Sequence, residues 1–420
     1  MKAEIKSLSL GCRLNTLETE KIRQMLVAAG VRGAVVVNTC SVTAEAERQS
    51  KQAVRRLIRE NPGAKFFVTG CAATRDADAF AAMPCDMCVV HNKDKMDAAS
   101  YGIEGLEFRL ESLDGMSKGL VQIQNGCNHA CTYCVVASLR GKNVSRPCEQ
   151  ILADARALVD NGYGEIVLTG VDIAGFRQPC STLSDLCKSL LNDLPNLQRL
   201  RLSSLDPGVD LRPVLDIMRR DARMLPHMHL SMQSGCDTVL SRMGRRHNAD
   251  MVRQITGSKI SDPYVTFSWD MIFGFPGETE EEFAETLALI RELKPIRLHA
   301  FPFSPRPGTP AATMPNPVPR AESKRRVKIA TDLARENMRE FMESQIGKKS
   351  QVLVEQDNIG RDAHDIPVMI FPTQDFASDK SPTKPIPPRK RGGKIPDKSI
   401  VNVKLIGIAD RKELTFIATI

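Results

Sequence analysis

The chain has 420 residues, enough for two or three domains, because a single hydrophobic core stops growing near about 250 to 300 residues. With 42% hydrophobic and 26% charged residues, the composition is that of a soluble globular protein and excludes a collagen-like or mainly disordered chain. No apolar run approaches the roughly 20 residues that span a bilayer, and the N-terminal segment MKAEIKSLSLGCRLN lacks the apolar core of a signal peptide. We therefore expect a cytoplasmic protein without membrane contact.

The net charge of +8 suits a polyanionic partner, although such an excess is common among soluble proteins. Two basic clusters stand out, with six basic residues between Lys384 and Lys398 and five between Arg320 and Lys328. Each alone is typical of a solvated loop or helix face. The twelve cysteines are a clearer signal, because disulfides are rare in a reducing cytosol, where clustered thiols indicate metal ligands.

The first ninety residues alternate apolar runs and helical patterns as β-α-β-α-β, which predicts an N-terminal domain (1–105) built on a parallel sheet. Strands are predicted at 5–10, 34–37 and 66–69, and helices at 17–29 and 44–59. Each strand runs directly into a cysteine, namely Cys12, Cys40 and Cys71. Because the carboxyl ends of parallel strands share one edge, these three thiols are expected to converge there.

Six further strand candidates, most followed by a helical pattern, predict a central domain (113–345) shaped as a partial (β/α)6 barrel. They lie at 120–124, 165–169, 199–205, 228–233, 265–273 and 296–303, and a basic helix near 320–339 follows. Short β-like runs then predict a small all-β barrel over 346–420, at 351–355, 367–371, 400–408 and 413–417. A Pro-, Lys- and Ser-rich stretch, 377–398, is expected to be a mobile insertion in it. The fold class is therefore α/β with a C-terminal β-barrel.

The most informative motif, Cys127-x3-Cys131-x2-Cys134, follows the first strand of the predicted central barrel. Three thiolates within eight residues can hold three irons of a four-iron four-sulfur (4Fe-4S) cluster and leave the fourth iron without a protein ligand. That iron can chelate the amino and carboxylate groups of S-adenosylmethionine (SAM), whose reductive cleavage releases a 5'-deoxyadenosyl radical. The alternative is a zinc site with His129 as fourth ligand, but its position inside the C-x3-C loop gives poor tetrahedral geometry.

Several segments resemble the radical SAM methylthiotransferase family over the whole chain: IQNGCNHACTYCVV, VLTGVDIAGF, RLSSLDP, HLSMQSGCDTVLSRMGRRH, DMIFGFPGETEEEF and HAFPFSPRPGTP. The resemblance implies two 4Fe-4S clusters, an auxiliary one on Cys12, Cys40 and Cys71 and a radical one on Cys127, Cys131 and Cys134. It also implies that the C-terminal barrel is a TRAM domain, an RNA-binding module, in which case the two basic clusters become phosphate contacts. Val136-Ala137 stands where members often have Ile-Pro, a departure that removes no ligand.

In this superfamily SAM is held mainly by backbone groups at strand ends, which suggests six contact residues. Tyr133 lies where an aromatic ring usually approaches the adenine, and the other five end the second, third and fourth strands: Thr169, Gly170, Ser203, Ser204 and Gln233. Ordinary polarity at the mouth of a barrel would explain the same residues. The extra pair Cys85 and Cys88 is interpreted as buried or incidental thiols.

The family's reaction uses both clusters and two SAM molecules. One SAM methylates a sulfur atom at the auxiliary cluster, and the radical from the other removes hydrogen from an adenine carbon, which receives the methylthio group. The implied partners are the anticodon loop of a transfer RNA, an electron donor such as flavodoxin or ferredoxin, and a sulfur source.

GCRLN, NTCSVT and HAFPFSPRPGTPA look most like the branch that acts on N6-threonylcarbamoyladenosine, and Arg13 is a candidate partner for its carboxylate. The other branches act on isopentenyladenosine or on an aspartate of a ribosomal protein. Two other classes of function are a non-catalytic iron-sulfur protein that binds RNA and a radical enzyme that inserts sulfur into a fatty acyl chain.

Overall fold

The structure, a computed structural model, describes residues 5–105, 110, 112–179, 181–257, 265–371, 395–410 and 413–420. A parallel α/β layer is followed by a partial (β/α)6 barrel, here called the central barrel, and by a small closed β-barrel, here called the C-terminal barrel. This architecture confirms the predicted fold class. Within the described ranges, no helix is both long and apolar enough to cross a membrane.

The N-terminal sheet has four parallel strands in the order β1-β2-β3-β4. The elements are β1 (Lys6–Ser9), α1 (Arg13–Ala28), β2 (Ala34–Thr39), α2 (Ala44–Glu60), β3 (Lys65–Gly70), α3 (Cys71–Arg75), α4 (Ala77–Ala81) and β4 (Asp86–Val89). Strand β2 is buried along its whole length, with Val36 in the core on the α1 side and Val35 and Val37 in the core on the α2 side. This alternation is the period of two expected for a strand covered by helices on both faces.

The central barrel consists of two three-stranded parallel sheets, β11-β8-β5 and β12-β13-β14. They join at Leu205, whose N–H donates to the His229 carbonyl (2.8 Å) and whose carbonyl accepts from the Ser231 N–H (2.9 Å). The strands are β5 (Gly119–Gln122), β6 (Gln124–Asn125), β7 (Val144–Ser145), β8 (Glu165–Thr169), β9 (Arg177–Gln178), β10 (Ser181–Thr182), β11 (Arg199–Leu202), β12 (His227–Gln233), β13 (Thr266–Phe273) and β14 (Arg297–Pro302). The six long strands therefore follow the chain order of the prediction.

Helices follow most of the central-barrel strands, and several of them complete its core, whereas α5 contributes to the cavity lining. They are α5 (Val136–Arg140), α6 (Cys148–Asp160), α7 (Leu183–Asp193), α8 (Arg212–Arg220), α9 (Asp237–Arg242), α10 (Ala249–Thr256), α11 (Glu280–Leu293) and α12 (Arg320–Gln345). Helix α11 begins with a capping box, in which the Thr279 hydroxyl accepts from the Glu282 N–H and the Glu282 carboxylate accepts from the Thr279 N–H. Such caps satisfy backbone donors that the first turn leaves unpaired.

The C-terminal barrel is closed in the order β15-β16-β17-β19-β18, with β17 and β19 parallel. Its strands are β15 (Lys349–Gln356), β16 (Ile359–Arg361), β17 (Pro367–Phe371), β18 (Ile400–Asp410) and β19 (Leu414–Thr419). Alternate side chains such as Val352, Val354 and Phe416 fill the core. Most of the predicted insertion, residues 377–394, lies outside the described residues.

The C-terminal barrel packs against the N-terminal ends of the central-barrel strands. Arg199 and Arg201, at the start of β11, both donate to the Asp362 carbonyl, at 2.8 and 3.3 Å. Both guanidiniums are held by the Glu165 carboxylate at the start of β8, at 2.8 and 2.7 Å. The C-terminal barrel therefore covers the end of the central barrel where its strands begin. The opposite end, where the strands finish, is left open for a functional site.

Candidate active site

Both cysteine triads line one cavity of about 440 Å³ between the N-terminal sheet and the mouth of the central barrel. Its lining includes all six predicted cluster ligands: Cys12, Cys40, Cys71, Cys127, Cys131 and Cys134. Each triad lies at the carboxyl edge of its own parallel sheet, where side chains from several strands meet. The two edges therefore face a common space.

The N-terminal triad depends on the chain reversals that follow β1 and β3. Gly11 has a φ of +96°, and a Cβ there would lie 2.7 Å from the Cys40 Sγ. Gly70 has a φ of +97°, and a Cβ there would overlap the Thr39 backbone. Only glycine adopts these conformations with so little space, so the two glycines allow the strand ends to approach closely.

The three N-terminal thiols differ in environment. Cys12 is exposed at the N-cap of α1, whereas Cys40 and Cys71 are buried. Burial raises the pKa of the Cys40 thiol to about 11. A soft metal centre would remove this penalty, because iron binds the thiolate directly. The donor set of three sulfurs at one sheet edge fits an iron-sulfur cluster.

The second triad lies on the loop between β6 and α5. The His129 N–H donates to the Cys127 Sγ (3.4 Å), and the Val136 N–H donates to the Cys134 Sγ (3.3 Å). Burial opposes ionisation of Cys131, but His129 and the Arg245 guanidinium, 3.4 Å from its sulfur, more than offset burial and lower the pKa of this thiol. N–H groups directed at sulfur are the contacts that stabilise thiolate ligands of 4Fe-4S clusters, so this loop also fits the group.

Both ring nitrogens of His129 lie against carboxylates, so neither is directed at a metal. Its Nε2 lies 3.0 Å from Asp172 and its Nδ1 lies 3.2 Å from Asp206, and these carboxylates raise the pKa of His129 to about 12. Cys127, His129 and Asp172 are close enough to resemble a zinc site, but neither ring nitrogen has a lone pair available when both are protonated. The guanidinium of Arg246 also lies 2.7 Å from Nε2, but it is half exposed and is outweighed by two buried carboxylates.

Four of the six predicted SAM contacts line the cavity: Tyr133, Gly170, Ser204 and Gln233. Thr169 and Ser203 are not among the lining residues, and their backbones are engaged in the sheet, where the Ile123 N–H donates to the Thr169 carbonyl (2.9 Å). Gln233 has a φ of +70° at an irregularity at the end of β12. A non-glycine residue held in this conformation at a cavity wall is a common sign of a functional constraint.

Several charged residues of the cavity were not singled out from the sequence. Five of them line it: Arg140, Asp172, Asp206, Arg245 and Asp270. The last four lie within the segments that resemble the family. The resemblance could therefore have pointed to these residues, but not to which of them form ion pairs.

A polar network extends from Asp270, a residue of the cavity lining. Asp270 on β13 lies 2.9 Å from the Nε2 of His229 on β12, and the Nδ1 of His229 lies 2.7 Å from the Ser268 hydroxyl. Burial and the nearby charges of His229, Arg297 and Arg13 lower the pKa of His299 on β14. Arg13, which is exposed at the start of α1, is therefore close enough to act on the open edge of the central barrel.

The remaining cysteines lie apart from the cavity lining. Cys85 and Cys88 are half-buried against the N-terminal sheet, and Cys187 is fully buried in the core of the central barrel. Burial raises the pKa of the Cys187 thiol to about 12, as expected for an inert core thiol. Cys180 lies outside the described residues.

Two protein families match separate parts of the chain. Residues 121–290 match the Radical SAM superfamily, and residues 4–90 match a family described as Uncharacterized protein family UPF0004. The first match covers the central barrel with its cysteine motif, and the second covers the N-terminal sheet with the other triad.

Named relatives cover most of the chain. It is 37% identical to "Threonylcarbamoyladenosine tRNA methylthiotransferase MtaB" of Rickettsia prowazekii, over 86% of this chain and 90% of that protein. It is 34% identical to the protein of the same name from Chlamydia pneumoniae, over 85% and 88%. It is also 32% identical to "tRNA-2-methylthio-N(6)-dimethylallyladenosine synthase" of Paenarthrobacter aurescens, over 82% and 73%.

Among solved structures, the chain is similar to the radical S-adenosylmethionine methyltransferase TsrM from Kitasatospora setae, described with cobalamin and a [4Fe-4S] cluster bound. The TM-score is 0.54 at 13% identity, over 74% of this chain and 77% of that chain. At this identity the likeness concerns the fold alone.

Proposed function

Because the chain belongs to the radical SAM methylthiotransferase family, whose cofactors are SAM and 4Fe-4S clusters, we propose that it acts on N6-threonylcarbamoyladenosine beside the anticodon of transfer RNA. The product is the 2-methylthio derivative. Of the named relatives, those from Rickettsia prowazekii and Chlamydia pneumoniae carry the threonylcarbamoyladenosine name.

The observation that carries the proposal is the single cavity lined by both cysteine triads. Bound there, the two clusters and SAM would supply the electron, the radical and the methylthio sulfur for one substrate carbon. Cys127, Cys131 and Cys134 would hold the SAM-binding cluster, and Cys12, Cys40 and Cys71 the auxiliary one. An iron-sulfur protein that only bound RNA would not need both triads to face the same space.

The chain's own residues would prepare the SAM side of the cavity. Arg245 donates to the Cys131 sulfur and to the Ser231 carbonyl (2.7 Å), and it pairs with Asp206 (2.9 Å), which fixes its charge beside the cluster loop. Gly170 and Gln233 present backbone at the ends of β8 and β12, where a nucleoside can approach closely. Tyr133 packs edge-on against Phe275, which orients its ring at the cavity wall.

On the substrate side, the positive charge near the open edge of the central barrel favours a base that carries a carboxylate. Arg13 is exposed and directly follows the lining residue Cys12, which makes its guanidinium a candidate partner for a threonyl carboxylate. An isopentenyl group would gain nothing from this charge. The Paenarthrobacter aurescens relative, at 32% identity, makes the isopentenyl branch the second candidate.

We assign the RNA affinity to the C-terminal barrel and to the basic stretch between Lys384 and Lys398, most of which lies outside the described residues. A base in a loop must leave its stack to enter a cavity of this kind. The electron donor would be a flavodoxin or ferredoxin, and a separate sulfur source would restore the auxiliary cluster.

The decisive test is mass spectrometry of transfer RNA nucleosides from cells that lack the gene, before and after it is restored. Loss and recovery of 2-methylthio-N6-threonylcarbamoyladenosine would support the proposal. A change confined to the isopentenyl nucleoside, or to a ribosomal protein, would contradict it.

A second test addresses Arg13. Arg13→Gln should slow conversion of the threonylcarbamoyl substrate, with SAM cleavage in the absence of RNA unchanged. Arg32→Gln, which removes another exposed arginine of the same domain, is the matched control. Equal activity of Arg13→Gln and Arg32→Gln would remove Arg13 from the proposed substrate contacts.

A further inference from the structure

Three charged side chains are buried together where the N-terminal domain meets the central barrel. They are Glu18 on α1, Lys95 after β4 and Arg140 at the end of α5, and their side chains are 1%, 0% and 2% exposed. Arg140 donates to both oxygens of Glu18, at 2.9 and 3.0 Å, and Lys95 pairs with the same carboxylate. We call these three residues the buried charge cluster.

The buried charge cluster is hydrogen-bonded to the N-terminal cysteine triad. Lys95 donates to the Asn92 amide oxygen (2.9 Å), and the Asn92 amide N–H donates to the Cys71 Sγ (3.6 Å). Arg140 donates to the Asn15 amide oxygen (2.6 Å), and Asn15 in turn donates to the carbonyls that end β1 and β2, at 2.8 and 3.2 Å. These contacts reach all three strand ends that carry cysteines, and Arg140 itself lines the cavity.

The charges of this cluster do not balance. Among the described residues, Glu18 is the single carboxylate within ion-pair distance of Lys95 or Arg140, so two basic side chains share one anion. Burial and the neighbouring Arg140 lower the pKa of Lys95, as expected where positive charge is in excess. A net buried charge is costly unless an opposite charge lies nearby. A 4Fe-4S core with two positive charges on three thiolates carries one net negative charge, which would complete the balance.

We propose that Arg140 and Lys95, held by Glu18, are the built-in counter-charge of an auxiliary cluster on Cys12, Cys40 and Cys71 and set its reduction potential. The inference rests on the proposed function for the identity of that cluster. Reduction adds a negative charge to the cluster, so a buried positive charge favours the reduced form and raises the potential. The three residues are positioning residues that act through the cluster.

The test uses the full chain with Cys127→Ala, Cys131→Ala and Cys134→Ala, so that one cluster remains. After anaerobic reconstitution and iron and sulfide analysis, the midpoint potential is measured by redox titration followed by electron paramagnetic resonance. Arg140→Gln should shift the potential downward and Glu18→Gln upward, and the double variant should return close to the parent value. Arg48→Gln, which removes an exposed cation of the same domain, should cause no shift.

Opposite shifts from Arg140→Gln and Glu18→Gln separate charge from damage, because loss of packing would move both potentials in one direction. If both variants held the full iron content and their midpoint potentials shifted equally or not at all, the proposed counter-charge role would be wrong, and the ligand assignment would stand. A parent protein that reconstitutes no cluster would instead overturn the ligand assignment in the proposed function.

If Arg140→Gln fails to hold iron, Arg140→Lys keeps the charge and should retain the parent potential. Urea unfolding of the cluster-free chain gives an independent readout. Without the cluster the excess cation is unbalanced, so Lys95→Met should be neutral or stabilising there, whereas Glu18→Gln should be strongly destabilising. The reverse order of stabilities would contradict the charge balance.

Discussion

Replacing Glu165 by glutamine should weaken the attachment of the C-terminal barrel to the central barrel. The Glu165 side chain is fully buried, and its two oxygens hold Arg199 at 2.8 Å and Arg201 at 2.7 Å. Both arginines then donate to the Asp362 carbonyl of the C-terminal barrel. Glutamine keeps the volume but removes the charge, so Arg199 loses its paired carboxylate and Arg201 keeps, among the described residues, only Asp365, at 4.0 Å.

The loss of stability can be worked out from the pKa of the Glu165 carboxylate. Burial opposes its ionisation, but Arg201 and Arg199 lower the pKa of Glu165 to about 2, against an ordinary value of 4.5. A shift of this size corresponds to about 3 kcal/mol of stability. This agrees with the roughly 3 to 5 kcal/mol lost when one partner of a buried ion pair is removed. Because the pKa is lowered, the contribution is complete above about pH 4.5 and is lost as the pH falls toward 2.

The assay is urea unfolding of the cluster-free chain at pH 7, together with limited proteolysis of the segment between α12 and β15. Glu165→Gln should lower the free energy of unfolding by about 3 kcal/mol and speed cleavage. The control, Glu355→Gln, removes a carboxylate that is 35% exposed and lies 3.3 Å from Lys118, and should cost less than about 1 kcal/mol. If Glu165→Gln unfolded like the control, the attachment would not depend on this ion pair.

Three further outcomes are expected. Burial raises the pKa of Asp362 to about 6, so its ionised form destabilises the folded chain at high pH. Asp362→Asn keeps an acceptor for the His364 and Ile366 N–H groups. In urea unfolding it should therefore stabilise the chain by about 1 to 3 kcal/mol at pH 8 and by less at pH 4. Gly70→Ala should lose the iron of the auxiliary cluster, because the new Cβ would overlap the Thr39 backbone. Gly63→Ala, also at positive φ but in open space, should keep that iron. Equal iron contents in the two variants would show that the close approach at Gly70 is not needed for the cluster. Reconstituted protein should contain about eight iron and eight sulfide per chain, falling to about four of each in the Cys127→Ala, Cys131→Ala, Cys134→Ala variant.

The positions of the cysteine-bearing loops could be predicted because they depend on local patterns. Strands β2 and β3 are mostly apolar runs, and β1 lies in the alternating segment IKSLSL. Each strand is followed within three residues by a cysteine, and parallel pairing brings strand ends together. The short strands β4 and β16 were not predicted. Strand β4, DMCV, has four residues with mostly partial burial, too few for an alternation to be visible.

The charge pairs of the site could not be predicted, because they join residues far apart in the chain. Arg140 and Glu18 are 122 positions apart, and which of many charges meet is decided by how two domains pack. His129 was considered only as a zinc ligand, since the carboxylates beside its ring come from the loops after β8 and β11. Thr169 and Ser203 stay predictions: each directly precedes a lining residue, Gly170 or Ser204, and its backbone is hydrogen-bonded within the sheet.

The C-terminal barrel and the cavity lie at opposite ends of the central barrel, which limits what the charge of the C-terminal barrel can do. Strand β12 has seven residues and therefore rises about 23 Å, well beyond a Debye length of roughly 8 Å in physiological salt. An RNA that contacts the C-terminal barrel and also inserts a base into the cavity must run along the flank of the central barrel. On the proposed function, phosphate contacts on the outer face of the C-terminal barrel would contribute affinity, and their effect on the cluster site would be small. Added salt should therefore weaken transfer RNA binding, measured by filter binding, and leave SAM cleavage in the absence of RNA unchanged. A parallel fall in both would show that these distant charges act on the chemistry itself.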